Sequence, residues 1–110
     1  MLFRSPNLSL TISGSTASQT LNDRFGVATY TGFTTASTAK QAFTLVNSNV
    51  TTTSAIMVTV SNLNASGNAA LMGIQGITQA AGSIVVSTIN NGAGALGAGD
   101  NVLISFWIYS

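Results

Sequence analysis

Apolar residues recur along this chain with a period of two. In 101–109, Val102, Ile104, Phe106 and Ile108 fall on one side of an extended backbone. Leu103, Ser105, Trp107 and Tyr109 fall on the other. Successive side chains of a strand point to opposite faces, so this alternation predicts a β-strand. Nearly every position in it is apolar. The strand is therefore expected to be buried on both faces, or on one face and at a subunit contact. The same period runs through 8–13, where Leu8, Leu10 and Ile12 alternate with Ser9, Thr11 and Ser13. In 25–33, Phe25, Val27, Thr29, Thr31 and Phe33 share a face. Segment 42–47 reads Ala-Phe-Thr-Leu-Val-Asn, and 55–61 sets Ile56, Val58 and Val60 on one side. Segment 71–78 holds Met72, Ile74 and Ile77, with Gly73 and Gly76 marking a bulge or bend. Segment 83–89 places Ile84 and Val86 opposite Val85 and Ile89, and 16–21 is the weakest strand candidate.

Turn formers separate these runs: Gly14, Asn22 with Asp23, the stretch 47–49, the stretch 62–68, and Gly82. The segment 90–101, dominated by Gly, Ala and Asn, is expected to be the longest and most flexible loop. Segment 34–41 has room for one turn of helix, but no segment carries a helical apolar stripe of useful length. Seven or eight short strands spaced by turns predict an all-β protein. The expected fold is a single antiparallel β-sandwich, jelly-roll-like, spanning residues 1–110, with 1–7 as an extended N-terminal arm. No fixed-period repeat and no linker interrupts it.

Charge changes the picture. The chain has three basic residues, Arg4, Arg24 and Lys40, and two acidic ones, Asp23 and Asp100. An ordinary soluble domain is about 25% charged; this one is 5% charged, with 45% hydrophobic residues. Disorder combines low hydrophobicity with high net charge, and neither holds here. A surface so poor in charge is either kept soluble by Ser, Thr, Asn and Gln or hidden in an assembly. A net charge of +1 cannot supply a phosphate-binding footprint, so no nucleic-acid partner is expected. The apolar run 55–58 breaks at Thr59, far short of the roughly 18 residues that span a bilayer, so no membrane partner is expected either. Residues 1–6 do not make a signal peptide. The expectation is a complete product made in the cytoplasm.

The same composition is poor in chemistry. There is no His, no Cys and no Glu. Acid–base catalysis needs groups that titrate near the working pH, and a Ser or Thr nucleophile needs an adjacent base, for which Lys40 is the sole candidate. No enzyme activity and no catalytic residue are expected. Asp23 and Asp100 read as turn caps. Zinc sites want Cys and His, and one carboxylate at Asp100 is thin support for calcium; no metal or cofactor is expected. Gly92, Gly94 and Gly97 mimic a dinucleotide fingerprint, but a strand follows them where that motif requires a helix. Sequons at Asn7, Asn49 and Asn64 carry no weight without a secretory signal.

Trp107 and Tyr109 are left as the most informative side chains. They project from the same face, with Leu103, while Val102, Ile104, Phe106 and Ile108 suffice to fill a core from the other. Aromatic residues are enriched at interfaces, so Trp107, Tyr109 and Leu103 are assigned to a subunit contact and the other four to the core.

Four stretches also share a layout: 26–29 (Gly-Val-Ala-Thr), 43–60 (Phe-Thr-Leu-Val-Asn-Ser-Asn through Ile-Met-Val-Thr-Val), 81–87 (Ala-Gly-Ser-Ile-Val-Val-Ser) and 100–108 (Asp-Asn-Val-Leu-Ile-Ser-Phe-Trp-Ile). Together they resemble a recurring structural domain of bacteriophage virion and tail-fibre proteins. The resemblance covers about three quarters of the chain. It implies a β-sandwich, often a homotrimer, on the virion. The chain is too short for the shaft of a complete tail fibre, which favours a capsid decoration or cement protein whose partners are itself and the major capsid protein. The alternatives are a tail-fibre tip that recognises host-surface glycan, and a non-viral adhesin or carbohydrate-binding subunit.

Overall fold

The computed structural model describes residues 11–65 and 68–109. Eight strands form among them: β1 Thr11–Gly14, β2 Ser18–Thr20, β3 Phe25–Thr31, β4 Lys40–Val46, β5 Ala55–Leu63, β6 Met72–Ala80, β7 Ser83–Asn90 and β8 Asn101–Tyr109. The expected arm 1–7 and the start of the strand expected over 8–13 lie outside the described residues. No helix forms among the described residues. The strands make two four-stranded sheets, ordered β1-β3-β8-β5 and β2-β4-β7-β6. One apolar cluster drawn from both sheets lies between them. Its centre is the contact of Tyr30 from one sheet with Phe43 from the other, ring centroids 4.6 Å apart. This is the expected all-β sandwich.

Every connection except β6–β7 carries the chain from one sheet to the other, a jelly-roll-like alternation. The chain reverses direction at each connection. Two crossings therefore bring it back to the first sheet pointing the same way. That geometry makes β1 parallel to β3, and β2 parallel to β4. The four remaining pairs, β3–β8, β5–β8, β4–β7 and β6–β7, are antiparallel. The expectation of a purely antiparallel sandwich is thus refined: the sheets are mixed, with a short parallel strand at one edge of each.

Strands β7 and β8 hold the centres of the sheets, as their unbroken β-branched and aromatic sequences favour. In β7, Ile84, Val86, Thr88 and Asn90 are buried. In β8, Val102, Ile104, Phe106 and Ile108 are buried, while the opposite row, Leu103 to Tyr109, is half-buried or exposed. Strand β8 is therefore buried on one face and open on the other. Phe106 stands opposite Gly26 of β3.

Of three local expectations, two are corrected and one is met. Phe25 and Phe33, expected to share a face, part company, and the core row of β3 is Ala28 and Tyr30. The strand ends at Thr31, and Gly32, at φ 80°, turns the chain. Phe33 thereby swings back to the core and meets Phe43 edge-on at 5.1 Å, whereas Phe25 stays outside. In β6 the period breaks as Gly73 and Gly76 foretold: a bulge between Ile74 and Gly76 brings Ile74 and Ile77, three apart, to face Thr88 and Val86 on the same side. The turn of helix expected over 34–41 does not form. Thr35 instead exchanges backbone bonds with Leu96, a tight turn follows from Ala36 to Ala39, and Thr38 adopts φ 68°, a strained position for a β-branched residue.

The Thr35–Leu96 bridge also anchors the loop expected to be most flexible. Leu96 is buried. Gly92 lies so close to the chain at Ala69 and Leu71 that a Cβ there would overlap backbone, 2.1 Å from the Ala69 carbonyl oxygen. The fastening is done by a neutral amide. Asn90, fully buried, donates through Nδ2 to the carbonyls of Thr35 and Gly94, and its Oδ1 accepts from the N–H groups of Leu71 and Gly92. All four hydrogen-bonding positions of its amide are filled. Asn47, also fully buried, ties the carbonyl of Asp23 to the turn at Asn49. Asn62 at the end of β5 bonds the carbonyl of Ala70 and the N–H of Met72, and Gln79 of β6 reaches the carbonyls of Thr51 and Ser54.

Two substitutions test this account. Phe106→Ala should lose about 3–5 kcal/mol, the usual cost of emptying a buried aromatic site. Asn90→Ala removes no large apolar surface, yet it strands several backbone groups, each costing about 1–3 kcal/mol when buried unpaired. We expect it to cost about 3 kcal/mol or more on that basis, against well under about 1 kcal/mol for Asn91→Ala on the exposed surface. Urea denaturation followed by circular dichroism measures all three. Equal midpoints for the two Asn variants would contradict the role given to Asn90.

Candidate functional site

The outer face of the β1-β3-β8-β5 sheet carries the protein's most unusual surface. Alternation along β8 aims Leu103, Ser105, Trp107 and Tyr109 outward. The antiparallel register sets Phe25 of β3 opposite Trp107 on one side and Met57 of β5 opposite it on the other. Directly opposed residues on one face of a sheet have Cβ atoms about 4.5–5.5 Å apart, close enough for large side chains to touch. Phe25 and Trp107 stack with centroids 5.1 Å apart, and Trp107 and Tyr109 at 6.1 Å with rings only 13° from parallel. The result is a row of three aromatic rings beside a methionine. Trp107 is 48% exposed, Tyr109 50% and Met57 63%.

Ser105, small and flanked by Leu103 and Trp107, leaves a dip in this surface. Two shallow grooves open from it. One, of ≈ 300 Å³, runs toward β3 between Trp107, Phe25 and Val27. The other, of ≈ 170 Å³, runs toward β5 between Trp107, Met57 and Thr59. Both are lined almost wholly by carbon. No charged side chain lies on the described parts of β1, β3, β5 or β8, so these strands offer dispersion, apolar burial and a few hydroxyl hydrogen bonds.

The structure brings together two of the three residues assigned from the sequence to a contact. Trp107 and Tyr109 form the centre of the exposed row, while Leu103 lies further along β8 and is half-buried. Val102, Ile104, Phe106 and Ile108 all lie in the core. Phe25 and Met57 were missed as members of the surface. Phe25 sat in a recognised alternating run, but its placement beside Trp107 depends on cross-strand register, which the chain's own period does not specify.

Lys40, the one candidate base, opens β4 in the sheet opposite the aromatic row. Among the described residues no three of His, Cys, Asp and Glu gather to hold a metal ion. Asp100 is almost fully enclosed, and its carboxylate accepts three hydrogen bonds: from the N–H of Ala65 on one oxygen, and from the N–H of Gly97 and the Asn68 amide on the other. Asp100 caps a turn and clamps two loops together. Compared with known proteins, the chain matches no known family and no curated protein.

Two buried groups set the pH behaviour. Donation from the N–H groups of Gly97 and Ala65 holds the Asp100 carboxyl below its ordinary value of 3.8, with Asn68 adding to the effect and enclosure opposing it. A carboxylate lowered in the folded state contributes stability that is complete above the unfolded value and is lost as pH falls through the folded one. Burial pushes the Tyr30 phenol, which donates to the Thr44 carbonyl at 2.7 Å, above its ordinary 10.0. The unfolded chain then releases a proton that the folded one keeps, so stability is complete below that value and declines as pH rises past it toward the folded value. The melting temperature is expected to be flat from about pH 5 to 9 and to fall on both sides. Asp100→Asn should flatten the acid limb and Tyr30→Phe the alkaline one, each from a lower plateau. Thermal melts across pH by circular dichroism check this, and an alkaline limb unchanged in Tyr30→Phe would refute the role of that phenol.

Proposed function

We propose that this chain is a structural protein of a bacteriophage virion, a capsid decoration or cement subunit that works by adhesion rather than by chemistry. The observation that carries the adhesive part is the uncharged Phe25–Trp107–Tyr109–Met57 surface on the flat outer face of a sandwich. Isolated exposed apolar residues are ordinary, but a contiguous group of large ones marks a contact surface. The virion part rests on the sequence layout that resembles phage structural domains. In this reading the aromatic row joins subunits to one another, as a homotrimer if the resemblance holds, and the assembled oligomer sits on the major capsid protein.

A second reading has its own observation. Parallel aromatic rings on an open sheet face also suit the apolar faces of sugar rings, which would make the chain a glycan-recognising fibre tip. Stacking in series, however, commits part of each ring's face to its neighbour, and this favours a protein contact.

Trp107 is the chain's single tryptophan, so its emission reports on this surface alone. Under the cement reading, dilution that lowers the mass by light scattering should also red-shift the emission as Trp107 meets water. Trp107→Ala should keep the β-sheet circular dichroism signal and reduce both self-association and cosedimentation with capsid shells at least tenfold, as loss of an aromatic anchor worth about 2 kcal/mol does. Raising salt from about 0.05 to 0.5 M should leave attachment unchanged, because screening acts only on charges. Attachment unaffected by Trp107→Ala would overturn the reading. Quenching of Trp107 by free oligosaccharide at constant mass would select the glycan-binding alternative.

A further inference from the structure

Four strands lie at sheet edges: β1 and β5 in one sheet, β2 and β6 in the other. An edge strand offers a row of unpaired N–H and C=O groups to any extended chain, and proteins blunt such edges with brevity, charge, proline or bulges. Two of these four, β2 and β6, are blunted. Strand β2 has 3 residues, and β1 is described from Thr11 only. Strand β6 is interrupted by its bulge and contains Gly73 and Gly76.

Strand β5 has none of these devices. It runs for 9 residues, Ala-Ile-Met-Val-Thr-Val-Ser-Asn-Leu, with no charge, glycine or proline and a regular register to β8 throughout. Four of its residues, Ile56, Val58, Thr59 and Val60, are β-branched, the side chains that best fit a pleated sheet. Among the described residues, no backbone group of β5 bonds to any strand but β8. Its inward row is not fully sheltered: Ile56, Val58 and Val60 are half-buried beside the exposed Ile74 and Ile77 of β6.

We propose that β5 is a pairing edge and that its occupant is β5 of a second copy of this chain, joined antiparallel about a two-fold axis. The unpaired backbone requires an extended strand as partner. The uncharged surroundings require an uncharged one, and two-fold pairing of like strands sets like residues near each other, which penalises charge and costs nothing here. The second copy supplies a strand of matching length and matching alternation. Full overlap places Thr59 opposite Thr59 of the second copy and Val58 opposite Val60. The four-stranded sheets would fuse into one continuous eight-stranded sheet, β1-β3-β8-β5 meeting its symmetry mate. Such a contact is isologous and closes on itself. It is distinct from a contact through the aromatic row and does not rest on the virion reading.

The chain has no cysteine, so a single engineered one gives a clean signal. Met57→Cys, Thr59→Cys and Ser61→Cys, all on the outward row of β5, are compared under mild oxidation with Ala42→Cys on the interior strand β4. The expected result is disulfide-linked dimer on a non-reducing gel from the β5 series, strongest at Thr59, and little from Ala42→Cys. A maximum at Ser61 also supports the pairing, with the axis displaced along the strand, whereas a maximum at Met57 that Trp107→Ala abolishes would assign the link to the aromatic face and overturn it. Separately, Thr59→Lys sets two like charges across the axis and should halve the mass seen by sedimentation, with β-sheet circular dichroism and Trp107 emission from the folded chain retained. Cross-linking from β5 no greater than from Ala42→Cys, or a mass unchanged by Thr59→Lys, would overturn the proposal. Thr59 also lines the groove beside Trp107, so Thr59→Lys is repeated in the Trp107→Ala background; a mass that Thr59→Lys still lowers there belongs to the β5 edge, and one it no longer changes overturns the pairing.

Discussion

The structure depends on satisfying the backbone where the chain crosses between sheets. Six of seven connections make that crossing, and each carries N–H and C=O groups past the ends of a closed core. A buried backbone group left unpaired costs about 1–3 kcal/mol, a large share of a small domain's stability. Here the partners are neutral amides. Asn90 joins the Thr35, Leu71 and 92–94 segments, Asn47 joins the 22–24 and 47–49 turns, and Asn62 with Gln79 clasp the two ends of the seam between β5 and β6. An amide offers donors and an acceptor together and does not have to shed the hydration of an ion when buried. The chain's richness in Asn and its poverty in charge are therefore linked.

The consequence on the outside is a surface with little to repel another copy of itself. Among the described residues, the accessible charges Asp23, Arg24 and Lys40 lie near the starts of β3 and β4. The half of the molecule built from β5, β6, β7 and β8 has none on its strands. That half presents the aromatic row on a face and an unprotected strand at an edge. In the proposed reading these are two different kinds of contact, one working by side-chain burial and the other by backbone pairing. An adhesive surface without charge is insensitive to salt and gives little electrostatic steering, which suits a permanent structural contact more than rapid exchange.

Buried Asp100 shows how a charge is accommodated in such a protein. Its carboxylate is surrounded by donors from two loops. A single carboxylate in a glycine-rich loop thus acts as a structural clamp, and the glycines around it serve close backbone approach, as at Gly92.

Much of this was legible in the chain. The period of two, read locally, identified the strands, the bulge of β6 and the division of β8 into a core row and an outward row, because side-chain direction in a strand follows from the residue's own backbone. Composition likewise fixed the absence of His, Cys and Glu. What sequence alone left undecided were relations between distant residues. The parallel pairing of β1 and β2 follows from the order in which the chain crosses between sheets. The meeting of Phe25, Trp107 and Met57 follows from register between three strands. Asn90 looked like a loop residue and proved to be a buried hub, because its four partners come from segments up to 55 positions away. Alternation is a property of one strand and is written in it; pairing, register and amide satisfaction are properties of the packed whole, and only the tertiary structure decides them.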